Sequence, residues 1–235
     1  MLVAAAVCPC PPLLVPEVAS GAAPELEEAR AHCADALGVL AAARPDRLYV
    51  VGPAPEDALG AFPAGSAGSF AGFGVDLSVR LGEGPGGARP LPGPLAVGAW
   101  LLSRTERSDV PVEGLGVDER ATAEECAATG RALAASAERV ALLVLGDGSA
   151  CRTVKAPGYF DERAAGFDAE AARVLGSADV PNVLALDPGL AYELKAAGRA
   201  PWQVLAGAAE GAGLEGRLLH EDAPYGVGYL VAVWS

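Results

Sequence analysis

The chain has 235 residues, 51% hydrophobic and 20% charged, a composition that supports one sizeable α/β domain with a buried core and excludes a disordered chain. Its formal net charge is −13, with 30 acidic against 17 basic residues and no basic cluster, so neither nucleic acid nor an anionic membrane surface is an expected partner. Apolar runs are broken by Gly, Pro or charge well short of the roughly 20 residues that span a bilayer, and no transmembrane helix is expected.

Leu2–Val7 is a short apolar run that ends in a Pro-rich loop, the pattern of a buried parallel strand. It has some likeness to a lipoprotein signal, but it lacks a cationic segment and is too short, so it reads as the first strand of a cytoplasmic protein. From Pro24 to about Ala43, Leu26, Ala29, Cys33, Leu37 and Leu40 recur at helical spacing, with Glu25, Glu27 and Glu28 at the positive end of the dipole. Arg47–Val51 is a second buried strand. The resulting β-loop-α-β unit places the Cys10 and Ala54 loops at the carboxyl ends of what are expected to be adjacent strands, where open α/β sheets form ligand sites.

Phe73–Leu81 alternates apolar and polar residues and predicts a half-buried strand, and the Gly/Pro-rich Glu83–Pro94 predicts a mobile surface loop. Leu95–Ser103 predicts an apolar helix. Thr122 and Glu125 form a capping box for a helix running to about Ser136. Val140–Leu145 is the clearest buried strand. A loop to Tyr159 follows, then a helix from Asp161 to about Gly176 and shorter helices around Leu190–Ala196 and Trp202–Gly211. Arg217–His220 and Val227–Trp234 close the chain as an antiparallel pair. The expected fold is a single α/β domain over residues 1–235, with a central, mainly parallel sheet flanked by helices on both faces.

The five cysteines fall in different contexts, and free thiols are expected in a cytoplasmic chain. Cys33 and Cys126 lie on apolar helix sides and read as structural. Cys8 and Cys10 are one residue apart, which is neither a thioredoxin-like pair nor a zinc knuckle. The densest polar group in any expected strand-end loop follows Val140–Leu145: Asp147, Ser149, Arg152, Thr153 and Lys155. Asp147 suits a ligand or general base, or else caps its own turn. Arg152 and Lys155 suit a carboxylate or phenolate of a small ligand, or else are ordinary surface charge. His220 is either a metal ligand or a partly exposed strand-end residue. His32, beside Arg30 and Asp35, is expected to be solvated surface. A redox role for the Pro-flanked Cys10 would need a nearby cation or helix N-terminus, and its sequence neighbours supply neither.

Several fragments, in order, resemble the class III extradiol ring-cleavage dioxygenases of the LigB type, which have the Memo proteins as relatives. They are Cys8-Pro9-Cys10-Pro11-Pro12, Val51-Gly52-Pro53-Ala54-Pro55, Gly68-Ser69-Phe70-Ala71-Gly72-Phe73-Gly74-Val75, Gly146-Asp147-Gly148-Ser149-Ala150, Gly158-Tyr159 with Phe167-Asp168, Ala200-Pro201-Trp202-Gln203, and Pro224-Tyr225-Gly226-Val227-Gly228-Tyr229. The resemblance implies metal-binding histidines at Cys10 and Ala54 and an acid/base histidine at Ala150, and all three are replaced. It also implies a third ligand within Leu219–Asp222, which offers His220 and Glu221.

Three functions compete. A degenerate homologue would bind a small, aromatic-type ligand or act in regulation, with no cofactor expected as isolated. An active dioxygenase would use Fe²⁺. A repurposed enzyme would rebuild a site from Cys10, His220 or Glu221, and Asp147, a set that suits Zn²⁺ better than Fe²⁺. Asp147 and Ser149 are the catalytic candidates, Arg152 and Lys155 the substrate-binding ones. Homo-oligomers are compatible with each reading.

Overall fold

Leu2–Cys8, Arg47–Pro53 and Val140–Leu145 are apolar almost without interruption, and all three form strands buried on both faces. A computed structural model of the chain describes residues 1–105 and 110–235. β1 (Leu2–Cys8) leads through the short α1 (Pro16–Ala19) and a 3₁₀ segment to α2 (Glu27–Ala42) and β2 (Arg47–Pro53). Three short strands follow, β3 (Gly60–Phe62), β4 (Ala67–Ser69) and β5 (Ser78–Arg80), then α3 (Gly93–Ser103), β6 (Val112–Val117), α4 (Ala123–Ala134) and β7 (Val140–Leu145). The chain continues through α5 (Ala164–Gly176), α6 (Val180–Leu184), α7 (Pro188–Glu193) and α8 (Arg199–Ala209) to β8 (Gly216–Asp222) and β9 (Tyr229–Trp234).

Among the described residues, seven strands form one sheet in the order β3-β6-β2-β7-β1-β9-β8. The four in the middle, β6, β2, β7 and β1, run parallel, while β3, β9 and β8 pair antiparallel at the flanks. The fold is therefore the expected α/β domain. One expectation is corrected: β1 and β2 are not neighbours, because β7 lies between them. Alternate strand residues enter two cores. Val7, Val51, Leu142 and Val144 pack with α5 and α8, while Ala6, Cys8, Val50 and Leu143 pack with α2 and α3.

The alternation over Phe73–Leu81 yields a strand only at Ser78–Arg80, paired with β4 in a separate ribbon. A 3₁₀ turn over Ala71–Phe73 ends at Gly74 (φ +79°), and Val75–Leu77 run irregularly into the strand. The Gly/Pro-rich segment before α3 is tied to the chain ahead of it, with Gly86 N–H donating to Ala64 O and Leu91 N–H to Ala67 O. β6 was not expected, because glycine weakens a strand pattern. Gly116 is required there: a Cβ would overlap the Ala58 carbonyl oxygen.

The capping box forms as expected, with Glu125 N–H donating to Thr122 Oγ1 and Thr122 N–H to Glu125 Oε2. α4 then packs backbone to backbone on α8. A Cβ on Gly130 would overlap Val204 O, and one on Gly207 would overlap Ala127 O. Gly130→Ala gains roughly 1 kcal/mol of helix propensity but forces two helices apart, and overpacking of that kind costs about 1–3 kcal/mol or more. A net loss of stability is expected in urea denaturation. A gain would show that the two helices separate freely.

Candidate functional site at the carboxyl ends of the parallel strands

The register of the central strands sets where their loops emerge. β1 and β7 pair from Ala4↔Ala141 through Cys8↔Leu145, β2 and β7 pair through Val51↔Val144 and β2 and β6 through Pro53↔Val117, so the four parallel strands end at one sheet edge. β9 begins and β8 ends at the same edge, because Asp222 pairs with Tyr229. The loop after β7 is central. Gly146 N–H donates to Cys8 O at 3.1 Å, and Asp147 O accepts from Gly198 N–H at 2.8 Å just ahead of α8. The same loop binds the segment before β9 through Gly148 N–H to Gly228 O, Gly228 N–H to Ser149 O, and Arg152 N–H to Gly226 O.

Within this frame Asp147 meets Cys10: the Cys10 N–H donates to Asp147 Oδ1 at 2.8 Å. Asp147 keeps part of its surface accessible. Protein packed around the carboxyl nonetheless raises its pKa from 3.8 to about 7, with the Cys10 N–H pulling weakly the other way. Burial also pushes the Cys10 thiol well up, and the negative charges of Asp147 and Glu119 push it further. The buried Tyr229 phenol is raised by burial first and then by Asp147, Tyr225 and Cys10. The site thus combines a thiol and a phenol that keep their protons with one carboxyl that exchanges its proton near neutral pH. That carboxyl can act as general acid, general base or proton-sensitive ligand. Burial and these neighbouring charges all oppose the thiolate that redox reactivity at Cys10 would need.

Ser149 and Arg152 serve a different carboxylate. Asp168, fully buried on α5, accepts from Ser149 N–H and Ser149 Oγ at 2.7 Å each, and from Arg152 Nη1 at 3.0 Å. Lys155 is exposed on the same loop. Ala54 is buried, with its N–H donating to Val117 O, and Ala150 is half-buried, with its N–H donating to Leu194 O. Glu221 is exposed on the edge strand.

His220 meets the first long helix. A register shift between Leu218 and His220 breaks the alternation of β8, and the His220 ring stacks on His32 of α2 at 5.4 Å between centroids and 25° between planes. His32 is therefore half-buried in a ring contact rather than the free surface residue expected. Among the described residues, Cys10, Asp147, His220 and Glu221 do not gather into one metal-ligating group, which removes the geometric basis for the rebuilt zinc set.

Sequence reasoning missed two buried polar groups that shape this edge. Arg199 Nη1 donates to Ala121 O and Gln203 Oε1, and its Nη2 donates to Glu119 O, fixing the β6–α4 loop. Gln203 Nε2 in turn donates to the carbonyls of Val183, Leu184 and Leu186. The available signal was a charged residue and an amide spaced i,i+4 in an otherwise apolar helix.

No family model and no curated protein matches the chain. Among solved structures it is similar to the "Crystal structure of uncharacterized protein JW3007 from Escherichia coli K12". The two share 18% identity at a TM-score of 0.60, over 99% of each chain. At that identity the likeness shows the fold alone.

Proposed function

We propose that this chain is a LigB-type protein that has lost the iron ligands of the extradiol oxygenases and binds a small aromatic-type ligand at the strand ends through Asp147. The observation that carries this reading is the Asp147 carboxyl, held near a pKa of 7 at the centre of the parallel edge and still partly open to solvent. An iron oxygenase site needs two imidazoles and a carboxylate with open positions. Here Cys10 and Ala54 offer a thiol and a methyl group, and both histidines of the chain pack together at α2 and β8. The donor set at the strand ends does not fit iron, so no oxygenase step follows from it.

Asp147 can do two things for such a ligand. Ionised, it accepts a hydrogen bond from a phenolic hydroxyl; protonated, it donates one to an oxygen. Cys10 and Tyr229 keep their protons across neutral pH, so the pH response of binding is set by Asp147.

Two measurements test the reading on protein purified without a metal-affinity tag. Anaerobic loading with Fe²⁺ followed by protocatechuate or catechol in air should give no oxygen uptake. Catechol should still bind in calorimetry, more weakly in Asp147→Asn. Oxygen consumption with one equivalent of iron would overturn the proposal in favour of an active dioxygenase. Catechol binding indifferent to Asp147→Asn would remove Asp147 from the site.

A further inference from the structure

The chain has two histidines in 235 residues, and the fold brings them together on a flank that the strand-end site does not use. Glu28 and His32 are spaced i,i+4 on α2, which places both on one helix face one turn apart. His220 reaches the same place from β8. The irregular register there lets Leu219 pack into the α2-side core while His220 stacks on His32. Bulges characteristically re-aim a side chain in this way. One ligand atom from each of Glu28, His32 and His220 lies within 4.8 Å of the others, and the His32 Nε2 to Glu28 Oε1 separation is 4.0 Å. On the far side of the His32 ring, Nδ1 lies 3.8 Å from Asp35 Oδ2.

We infer that Glu28, His32 and His220 form a divalent transition-metal site of the zinc class, with Asp35 as the group that orients His32. Two imidazoles and one carboxylate are a known three-ligand set for Zn²⁺, and the exposure of Glu28 leaves the remaining position to solvent. A carboxylate behind a ligating imidazole fixes its tautomer, and a small rotation of Asp35 from 3.8 Å would let it accept the Nδ1 proton and leave the Nε2 lone pair free toward Glu28. With the three donors within 4.8 Å of one another, small side-chain rotations would bring them into a coordination sphere whose bonds are about 2.0–2.2 Å. The ion would pin the β8–β9 hairpin to α2, a junction already tied by the Tyr225 hydroxyl donating to Glu25 Oε2 at 2.9 Å. This site shares no residue with Asp147, Cys10 and Tyr229 at the strand ends.

The test uses the untagged full chain, stripped with chelator and titrated with Zn²⁺ alone. One equivalent should bind. His32→Gln and His220→Gln should each weaken binding by more than the roughly 10–100-fold typical of losing an outer partner, and Asp35→Asn by about that range. Because only two imidazoles exist, their NMR signals report the site directly in the unaltered protein, and Zn²⁺ should shift both. Co²⁺ bound in place of Zn²⁺ should show no thiolate charge-transfer band. Zn²⁺ that binds without moving either imidazole, a strong thiolate band with Co²⁺, or no binding at stoichiometric concentration would each overturn the inference. Loss of catechol binding at the strand ends would leave all three readouts unchanged, so the two proposals fail separately.

Discussion

Asp168→Ala is expected to lower the unfolding free energy by about 3–5 kcal/mol, the range for breaking a buried pair by removing one partner. Asp168 is 1% exposed and accepts three hydrogen bonds, two from Ser149 and one from Arg152. Removing the carboxylate leaves the Ser149 N–H and hydroxyl without partners in a fully buried position, each worth about 1–3 kcal/mol. The Arg152 guanidinium is less affected because its side chain is 29% exposed and water can take over, which places the cost toward the lower half of the range. Asp168→Asn keeps the volume but turns an NH₂ group toward one of these donors, so it should fall between wild type and alanine. Guanidinium denaturation of the three proteins gives the values. An alanine cost below about 1 kcal/mol would show that the Ser149–Asp168–Arg152 cluster does not hold the loop. Because that loop also carries Asp147, the folded fraction of Asp168→Ala should bind catechol poorly.

The parallel centre of the sheet was legible because β1, β2 and β7 are buried on both faces, and such strands have to be written as near-continuous apolar runs. Their spatial order was not, because nothing in β1 or β2 records that the later β7 inserts between them. β6 escaped notice for a steric reason: Gly114 and Gly116 let β3 and the Ala58 loop approach, and glycines at those positions erase the strand signature.

The same distinction divides the site. Asp147 stood out locally as a carboxylate on a Gly-flanked turn after a buried strand. That Ser149 and Arg152 are committed to Asp168 depends on α5 folding back over the loop. The meeting of His32 with His220 depends on the first long helix packing beside the edge strand. Residue type predicts which groups can do chemistry, while long-range packing decides which of them share a partner.

Asp147→Asn should stabilise the protein at neutral and alkaline pH while weakening the ligand site. The folded-state pKa is raised from 3.8 to about 7, so the fold prefers the protonated carboxyl. Below pH 3.8 the group is protonated in both folded and unfolded chains and imposes no penalty. As pH rises from 3.8 to about 7 the unfolded chain ionises first and stability falls; above about 7 both states are ionised and the loss is complete. The full interval corresponds to at most roughly 4 kcal/mol. Asparagine keeps an oxygen to accept the Cys10 N–H and cannot ionise, so the variant escapes this loss. The difference between the two proteins should be near zero at pH 3.5, grow through pH 4–7 and level off above it. Urea denaturation across that range measures the difference directly, and the many other carboxylates cancel because both proteins share them. A difference independent of pH would mean that Asp147 titrates as an ordinary surface acid and has no claim on proton chemistry. A stabilised variant with weakened catechol binding would identify Asp147 as a group whose ionisation weakens the fold at neutral pH and whose carboxyl supplies the binding site, the balance expected where function sets the residue.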